Sequence, residues 1–432
     1  MFGLIQGLML PNASHHKGFR RILSNKLTVA EGKLLTKGSI TPNIIVMEKV
    51  RVDKSAQESI LSGHLWVFSN QVVERPTAIP PGEIVQVVGP REKRLGTGYI
   101  NTGSLIMVRL LSREAVEVDA SFFSDRIEAA LRLRQGLGWS SLRVVNSESD
   151  LLPGLVVDRY AGCAVIQVLT CGIEKQLDNV IAAVRRTLSP DVIVLRNDNP
   201  YSLEEGLSQY PRVVEGQLDG PVMIEEGGFH FSVQVMAGQK TGFYLDQREN
   251  RACLRGLVEG RTVLDLFCYS GAFGVYALSF GARSVTFVDA SAAALDSARE
   301  NVALNGLDRS SFVRADAFDF LKAEGDQYDV IICDPPSFVK SKKKLKEGER
   351  GYIDLHKKAL RRLNDGGLMV TFSCSHHMRR SRFRDMARIA AYGHADLYLL
   401  RELYQAADHP VLLAIPETEY LKGMVLRVKK RS

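Results

Sequence analysis

Acidic side chains stand at the ends of successive apolar runs in the last third of the chain. Asp265 lies near the end of the run at 263–267, Asp289 follows the run at 284–288, and Asp316 ends the segment SFVRAD. The carboxyl ends of parallel strands share one edge of a sheet, where acids can accept hydrogen bonds from a nucleoside. These residues therefore predict a nucleoside-binding site. Asp316 could equally be the N-cap of the segment FDFL, and the two roles are compatible.

The loop after the first of these runs restricts which nucleoside ligand fits. The turn Ser270-Gly271-Ala272 keeps a single glycine of the dinucleotide fingerprint, Gly271. Phe267 and Tyr269 occupy positions where that fingerprint has its other glycines. Bulky side chains there keep the backbone away from a pyrophosphate. A ligand with a ribose and no phosphate, such as S-adenosylmethionine (SAM), tolerates this bulk, so Phe267 and Gly271 become candidate SAM contacts. Taken alone, the loop could also be a structural turn.

A second group of residues could hold a flat base. The buried-strand pattern at 328–333 leads directly into Asp334-Pro335-Pro336-Ser337-Phe338. Two prolines after a parallel strand prevent further pairing and fix the backbone at the edge of the sheet. Asp334 can then hydrogen-bond a ring nitrogen or an exocyclic amine, while Phe338 can stack on a flipped base or pack within the loop. Without the preceding nucleoside unit, the segment would be an ordinary turn.

A run of lysines follows this segment. Its members are Lys340, Lys342, Lys343, Lys344 and Lys346. Such a run is usually a solvated loop. Directly beyond a candidate base pocket it favours contact with RNA phosphates, and Lys342, Lys343 and Lys344 are the central candidates.

One cysteine stands where a nucleophile would be useful. The strand pattern LMVTFS leads into Cys374, which therefore emerges at the same sheet edge as Asp334. Cytosine C5 can be methylated only after the ring is activated, and a thiolate that adds at C6 provides this activation. A free thiol has a pKa of about 8.5, so nearby cationic or donor groups would have to lower it. The basic residues available by sequence are His376, His377, Arg379 and Arg380.

The composition of the 432-residue chain excludes several classes of protein. With 45% hydrophobic residues it should bury substantial cores in two or three domains. No apolar run is long enough to span a membrane, and the absence of C-x-x-C pairs gives no indication of a zinc site or a disulfide framework. These features favour a reducing interior such as the cytosol. The cysteines assigned to buried hydrophobic positions are Cys163, Cys171, Cys253, Cys268 and Cys333.

The first part of the chain differs from the rest. Residues 1–46 contain six Lys/Arg and one acid, so they supply +5 of the net charge of +7 and leave +2 for the remainder. The global charge therefore gives little argument for RNA binding. No lasting period is visible at 1–46, and we expect a poorly ordered extension. Both an organellar transit peptide and translation from Met47 are compatible with this composition.

Three domains are predicted after this extension. Residues 47–115 contain short alternating strands divided by Gly and Pro turns, which predicts a small β-barrel with Trp66 and Phe68 in its core. Residues 120–228 predict a small α+β domain. Its first helix should bury a stripe that includes Leu133, and a second helix is predicted at 174–188. Residues 229–432 predict an α/β, Rossmann-like domain that packs against the middle domain; the runs at 263–267 and 284–288, with the helical segment between them, form a βαβ unit. Further helices are predicted after the N-cap Ser291 and from Tyr352.

Several segments of the chain resemble a known family. SILSGHLWVFSNQV and GTGYIN resemble the N-terminal PUA domain, an RNA-binding barrel, of bacterial class I SAM-dependent 23S rRNA cytosine-C5 methyltransferases. The most specific further matches are GQKTGFYLDQREN, VLDLFCYSGAFG, DPPSF, SCSHHM and ADHPVLLAIPETEYLKGMVLRV. The resemblance covers about residues 47–432. It implies a SAM cofactor, ribosomal RNA as the partner, a cytoplasmic location and methylation of C5 through a covalent cysteine adduct; a homodimer is compatible with it.

The resemblance also assigns roles to residues. It implies that Cys374 is the nucleophile and that four acids line the cofactor and base pockets. These acids are Asp265, Asp289, Asp316 and Asp334. It further implies that the segment from Tyr244 to Arg248 helps to close the SAM site, with Tyr244, Asp246, Gln247 and Arg248 as its candidate contacts.

Two other functions remain open on the sequence. A guanine- or adenine-N methyltransferase would use the DPPSF pocket without a cysteine nucleophile. A non-enzymatic RNA-binding assembly factor would tolerate the loss of site residues, but none of them is missing. The sequence identifies neither the modified nucleotide nor the group that removes the C5 proton.

Overall fold

The computed structural model describes residues 47–76, 78–339 and 342–431. The extension predicted at 1–46 lies outside these residues. The described part of the chain contains three sheets of five, five and seven strands and one two-stranded sheet. None of its helices is long and apolar enough to cross a membrane.

The first domain is a five-stranded barrel with the strand order β1-β3-β4-β5-β2. Its elements are β1 (Glu48–Arg51), α1 (Lys54–Leu61), β2 (Trp66–Phe68), β3 (Ile84–Val88), β4 (Arg94–Ile100) and β5 (Ile106–Ser112). The chain after β2 pairs back with the end of β1 through a bridge between Val52 and Val72, which joins the two edges of the sheet. The predicted barrel is confirmed. The helix α1 was not predicted.

The barrel core differs from the prediction at β2. Successive side chains of a strand point to opposite faces, and β2 places Val67 in the core rather than Trp66 and Phe68. Trp66 is half-buried at the border of the core, and its Nε1 donates to Glu148 Oε1 at 3.0 Å. The expectation that Trp66 and Phe68 are both core residues was therefore wrong, because the strand directs Val67 into the core instead.

The second domain is a five-stranded sheet, β10-β9-β8-β7-β6, covered by helices. Its elements are α2 (Ala120–Leu133), β6 (Leu142–Asn146), β7 (Leu155–Tyr160), β8 (Cys163–Val168), α3 (Cys171–Lys175), α4 (Leu177–Leu188), β9 (Val192–Arg196), α5 (Pro200–Glu204) and β10 (Pro211–Glu215). The helix predicted at 174–188 is interrupted at Gln176, which separates α3 from α4. Leu133, predicted on the buried stripe of α2, is 68% exposed.

The hairpin and the third domain follow without a long linker. The hairpin consists of β11 (Val222–Glu226) and β12 (Phe229–Val233). The third domain contains α6 (Arg248–Ala252), β13 (Thr262–Leu266), α7 (Ala272–Ser279), β14 (Ser284–Asp289), α8 (Ala292–Leu304), β15 (Ser310–Arg314), α9 (Ala317–Lys322), β16 (Tyr328–Cys333), α10 (Leu345–Arg362), β17 (Leu363–Ser373), α11 (Arg380–Ala391), β18 (Ala395–Leu403) and β19 (Lys422–Lys430). The predicted βαβ unit is β13-α7-β14.

The seven-stranded sheet has the order β15-β14-β13-β16-β17-β19-β18, and β19 is antiparallel to both of its neighbours. The strand order reverses between β13 and β16, where open α/β sheets bind ligands beyond the carboxyl ends of their strands. Leu266 of β13 pairs with Cys333 of β16, and Cys333 pairs with Thr371 of β17. The ends of these three strands therefore lie side by side. This arrangement confirms the α/β, Rossmann-like prediction.

The three domains share their cores. One hydrophobic cluster combines Tyr160 and Val194 of the second domain with Val263 of the third. Another combines Tyr99 of the barrel with Val157 of the second domain. The prediction that the middle and last domains pack together is confirmed.

Candidate active site

The loop after β13 has a strained backbone. Phe267 and Tyr269 have positive φ angles of 59° and 48°, a left-handed conformation that non-glycine residues adopt at a cost of about 1–2 kcal/mol. Gly271 has a φ of 74°, and a Cβ there would approach Ala298 Cβ to 2.8 Å. The loop thus bends where dinucleotide sites carry glycines, although two of the positions hold aromatic side chains.

Asp289 lies at the end of β14, as predicted. Its two carboxylate oxygens accept hydrogen bonds from Tyr269 N at 3.0 Å and Ser291 N at 2.9 Å. It is half-buried. Each oxygen retains capacity for a further donor, so the carboxylate links the β13 loop to α8 and can still accept from a ribose.

Asp265 lies deeper than a surface ligand contact would. It is 2% exposed, and its Oδ2 accepts from Gly274 N at 3.0 Å at the start of α7. Burial raises the pKa of Asp265 to about 8; the Gly274 hydrogen bond opposes this shift, and the charges of Asp334 and Asp289 add to it. The carboxyl group therefore holds its proton near neutral pH.

Asp316 is the N-cap of α9. Its Oδ1 accepts from Phe318 N at 2.8 Å and from Asp319 N at 3.2 Å. The N-cap role considered from the sequence is confirmed. Contact of Asp316 with an adenine amino group stays a prediction.

The segment at 238–250 lies over the β13 loop. The hydroxyl of Tyr269 accepts from Gln239 N at 2.9 Å and donates to Gly242 O at 3.1 Å. The ring of Tyr244 packs edge-on against that of Tyr269, with 5.5 Å between centroids. One aromatic side chain of the strained loop therefore positions the segment that the family resemblance associates with closure of the SAM site.

Within this segment, consecutive side chains point to different partners. The buried Asp246 accepts from Lys240 Nζ and from the Tyr420 hydroxyl, both at 2.7 Å through Oδ2. Gln247 Nε2 donates to Asp334 Oδ2 at 3.0 Å. Asp246 and Gln247 thus lie on the side of the candidate base pocket. Their predicted contacts with SAM stay predictions.

Arg248 forms buried structural contacts. Its guanidinium pairs with Glu226 of the hairpin at 2.8 Å, donates to Ser141 O and lies 4.1 Å from the centroid of the Trp139 ring. These contacts connect the third domain to the hairpin and to the second domain. A contact of Arg248 with SAM also stays a prediction.

Asp334 follows β16 directly and is half-buried. Burial raises the pKa of Asp334 to about 7, the charge of Asp246 raises it further, and Lys240 opposes the shift. A carboxyl group with this pKa exists in both protonation states near neutral pH. It can therefore donate a proton to a ring nitrogen as well as accept from an amine.

Cys374 emerges one strand away, at the end of β17, and is half-buried. Burial raises the pKa of its thiol to about 11, and the charge of Asp334 raises it further, while Lys240 lowers it. The expected lowering by basic neighbours in the sequence is not found in this structure. Arg380, for example, pairs with Glu419 at 3.1 Å and donates to Leu403 O.

Hydroxyl groups connect the two loops that carry Asp334 and Cys374. Ser337 Oγ and Ser375 Oγ are 2.9 Å apart. The Tyr352 hydroxyl donates to Ser373 Oγ at 2.9 Å, and Ser375 Oγ lies 3.3 Å from the same hydroxyl. This buried network fixes the position of the DPPSF loop relative to the cysteine loop.

The remaining predicted contacts lie around these loops. Pro335 is buried and Pro336 is exposed. Phe338 packs against Tyr352, with 4.7 Å between ring centroids, which favours the loop-packing role over a free stacking platform. The central lysines form the short 3-10 turn Lys342–Lys344, and Lys343 and Lys344 are exposed. Lys340 lies outside the described residues.

Two lysines of the site were not predicted. Lys240 lies in the segment GQKTGFYLDQREN, and its left-handed backbone, with a φ of 51°, gives no signal in the sequence. Lys422 is the first residue of β19, and its side chain donates to Ser375 O at 2.8 Å. Cys253 was expected to be buried in the core, but like Cys374 it is half-buried.

The acids of the site fit a cationic ligand. Among the described residues, neither Asp265 nor Asp334 has a cation within ion-pair distance, and both have raised pKa values. Positive charge brought to this edge of the sheet would favour their ionised forms. SAM carries a sulfonium and an ammonium group, so the donor set matches it chemically.

Fold and site together define a class I SAM-dependent methyltransferase with an N-terminal PUA-like barrel. Family models match at both places: a PUA-like domain at residues 50–113 and an S-adenosylmethionine-dependent methyltransferase at residues 196–374. A candidate SAM-dependent methyltransferase from Streptococcus mutans has the same fold, with a TM-score of 0.77 and 24% identity over 88% of this chain and 100% of that chain. SAM is therefore the cofactor of this enzyme.

The chain belongs to the ribosomal RNA large subunit methyltransferase I family. The relative from Aeromonas hydrophila is 42% identical over 391 residues, which cover 87% of this chain and 98% of that protein. The relative from Shewanella denitrificans is 39% identical over 393 residues, 88% of this chain and 99% of that protein. The family resemblance expected from the sequence is thereby confirmed at the level of a PUA-like domain joined to a SAM-dependent methyltransferase.

Proposed function

We propose that this enzyme methylates C5 of a cytosine in large-subunit ribosomal RNA through a covalent adduct on Cys374. The observation that carries the proposal is the placement of Cys374 and Asp334 at the ends of two adjacent strands, with their loops joined by the Ser337–Ser375 contact. The relatives are named for methylation of large-subunit ribosomal RNA. Methylation at C5 is the reaction for which a thiol is required.

The chain's own residues divide the chemistry between them. The Cys374 thiolate adds to C6 of the cytosine, while protonated Asp334 donates a hydrogen bond, and then its proton, to N3. C5 thereby becomes nucleophilic. SAM, when bound, supplies the methyl group. Transfer of the C5 proton to solvent then lets the thiolate leave, and the enzyme is restored when the proton on N3 returns to Asp334.

The cofactor site is assigned to the edge formed by β13 and β14. Asp289 has lone pairs available for the ribose hydroxyls, and the left-handed loop at Phe267 and Gly271 lies at this edge of the sheet. Tyr244 covers the loop from the opposite side through its contact with Tyr269. Asp265 lies below the loop, and the positive charge of bound SAM would favour its ionised form.

A guanine- or adenine-N methyltransferase is the second candidate because DPPSF could hold those bases as well. Purified enzyme, SAM and ribosomal RNA transcripts distinguish the two by mass analysis of the nucleosides formed. We expect 5-methylcytidine from the wild type and none from Cys374→Ala. Methyl groups on an exocyclic nitrogen, with full activity of Cys374→Ala, would establish the second candidate instead.

Ribosomal RNA is proposed to contact the barrel and the lysine turn through its phosphates. Neutralising Lys342, Lys343 and Lys344 to Gln should weaken RNA binding for all sequences and reduce the slope of log K against log salt by about 2 to 3. Replacement of the exposed Lys429, Lys430 and Arg431, at and just after the end of β19, by Gln serves as the charge-matched control. An unchanged slope would show that the turn is a solvated loop that does not contact RNA phosphates. A cytoplasmic location would follow from this partner, and cell fractionation tests it.

A homodimer is proposed through the edge strand β18. Tyr398, Leu399 and Leu400 are 53%, 45% and 47% exposed on a strand whose outer backbone groups have no sheet partner in the described residues. Two copies of an edge strand can pair about a two-fold axis, because the same surface is then used twice. Light scattering should give twice the chain mass, and Leu399→Lys with Leu400→Lys should give the monomer. A monomeric wild type would refute this arrangement.

A further inference from the structure

A buried lysine lies beside the nucleophile's loop and has no role in the chemistry described above. Lys422 begins β19, in register with Ser373 at the end of β17, and is 3% exposed. Its Nζ donates to the carbonyl oxygen of Ser375 at 2.8 Å. The amine therefore reaches the residue that directly follows Cys374.

The charge of Lys422 has no direct counter-ion. Among the residues that the structure describes, no carboxylate lies within ion-pair distance of its Nζ, and the nearby Glu419 is paired with Arg380. Burial lowers the pKa of Lys422 to about 8; the charges of Cys374 and Glu419 oppose this shift, and Arg380 adds to it. A buried lysine of purely structural use would be expected to have an acidic partner.

The other groups that face the thiol are less suited to take its proton. Lys240 is held by Asp246 at 2.7 Å, so its charge is already offset by that carboxylate. Asp246 and Asp334 are acids that oppose ionisation of the thiol. His376 also interacts with Lys422 and packs its ring against Tyr420, 5.7 Å between centroids.

We propose that Lys422 is the residue that takes the proton of the Cys374 thiol before the attack on cytosine. The S–H bond breaks and an N–H bond forms on the neutral amine, so that an ammonium and a thiolate are produced with no further reactant. When the thiolate leaves the methylated base, the proton can return. The inference rests on the proposed role of Cys374 as the nucleophile.

The proposal explains how a buried thiol can react near neutral pH. With a pKa of about 11, only about one thiol in a thousand would be ionised at a pH near 8. An amine with a pKa of about 8 is half neutral at that pH and can accept the proton. Attraction between the ammonium and the thiolate then favours the charged pair, and the two groups titrate together.

The test measures ionisation of the thiol without turnover. Iodoacetamide modifies thiolates, and peptide mass mapping quantifies modification of Cys374 separately from the other cysteines over a range of pH. In Lys422→Met we expect the midpoint of the rate profile to rise by about one pH unit or more and the rate near neutral pH to fall roughly tenfold. Lys429→Met, an exposed lysine of the same strand, should leave the profile unchanged.

A second variant covers the case in which Lys422→Met does not fold. Lys422→Arg keeps a permanent charge, so its midpoint for Cys374 should lie at or below that of the wild type. An unchanged profile in Lys422→Met, or a raised midpoint in Lys422→Arg, would overturn the proposal. These outcomes are independent of the nucleophile assignment, which is tested separately by whether Cys374→Ala still forms 5-methylcytidine.

Discussion

Two carboxyl groups of the site keep their protons at a pH where acids are usually ionised. Asp265 and Asp334 have pKa values of about 8 and about 7, chiefly because both are removed from water. For Asp334 this is useful, because a protonated carboxyl can activate cytosine at N3. For Asp265 it is a cost to the fold that a cationic cofactor would relieve. Because binding of the cofactor would remove this cost, the lower stability of the unliganded site contributes to its affinity for the ligand.

The cost at Asp265 gives a prediction for the protein without SAM. Its folded pKa exceeds the unfolded value of about 3.9, so its contribution to stability is lost as pH rises from about 4 to about 8. Asp265→Asn should therefore be more stable than the wild type by about 1 to 3 kcal/mol near neutral pH. The difference should be smaller near pH 5, and urea unfolding at several pH values measures it.

The exposed Asp296 provides the control, since its side chain is 73% exposed. Asp296→Asn should change the free energy of unfolding by about 0.5 kcal/mol or less at every pH. A stability difference for Asp265→Asn that does not vary with pH would contradict the account.

The sequence identified the reactive residues but not their surroundings. Asp334 and Cys374 were predicted because each directly follows an apolar run, which is a local signal. Lys240, which lowers the pKa of the thiol, comes from a loop before the sheet. Lys422, which donates to the carbonyl oxygen of Ser375, comes from β19. Only the folded arrangement of the strands brings them to the loop that carries Cys374. Arg380, one of the basic residues near Cys374 in sequence, is instead paired with Glu419.

At the scale of elements, the site depends on one tightly packed turn between β13 and α7. Gly271→Ala would place a Cβ 2.8 Å from Ala298 Cβ and 3.1 Å from Phe287 Cε1, at a φ of 74°. We expect a loss of about 2 to 4 kcal/mol of stability, from the left-handed φ together with the clash, and at least tenfold weaker SAM binding. Calorimetry with SAM and thermal unfolding measure both effects.

Gly306→Ala is the matched control for this substitution. Gly306 has a φ of 61°, but a Cβ there would meet nothing within 4 Å. It should cost about 1 kcal/mol, from the backbone alone, and leave SAM affinity unchanged. Equal effects of the two variants would show that packing of the turn is unimportant.

Elements were predicted well where the apolar period is long and poorly where it is short. β16 was predicted with its observed bounds, and Ser291 caps α8 as expected, with its Oγ accepting from Ala294 N at 3.3 Å. The helix predicted from Tyr352 begins earlier, at Leu345. Its first turns, LKEGERG, are mostly polar, so they show no apolar period that would have indicated a helix. The strand β18 exposes much of its surface, so it lacks the alternation that marks a half-buried strand.

At the scale of the molecule, buried charged groups connect the three domains. Arg109 of the barrel pairs with Glu205 of the second domain at 2.9 Å. Arg134 of the second domain pairs with Asp150 and also donates to Asp408 O of the tail, each at 2.8 Å. Breaking one such buried pair costs about 3 to 5 kcal/mol, so the domains should not unfold independently.

The two tryptophans of the chain test this cooperativity. Trp66 lies at the border of the barrel, and Trp139 packs against Arg248 near the third domain. In urea, the fluorescence transitions of Trp66→Phe and Trp139→Phe should coincide with the transition seen by far-ultraviolet circular dichroism. An earlier transition reported by the barrel tryptophan alone would show that the barrel unfolds as a separate unit.

The most direct test of the central claim is the capture of the covalent adduct. Addition of Cys374 to C6 makes loss of the C5 hydrogen obligatory for release, and a fluorine at C5 cannot leave as a proton. Incubated with SAM and ribosomal RNA that contains 5-fluorocytosine, the wild type should form a protein–RNA adduct that survives denaturation, with its cross-linked peptide containing Cys374. Cys374→Ala should bind SAM and RNA but form no adduct. An adduct in Cys374→Ala, or turnover of the fluorinated RNA without one, would contradict the assignment of Cys374 as the nucleophile.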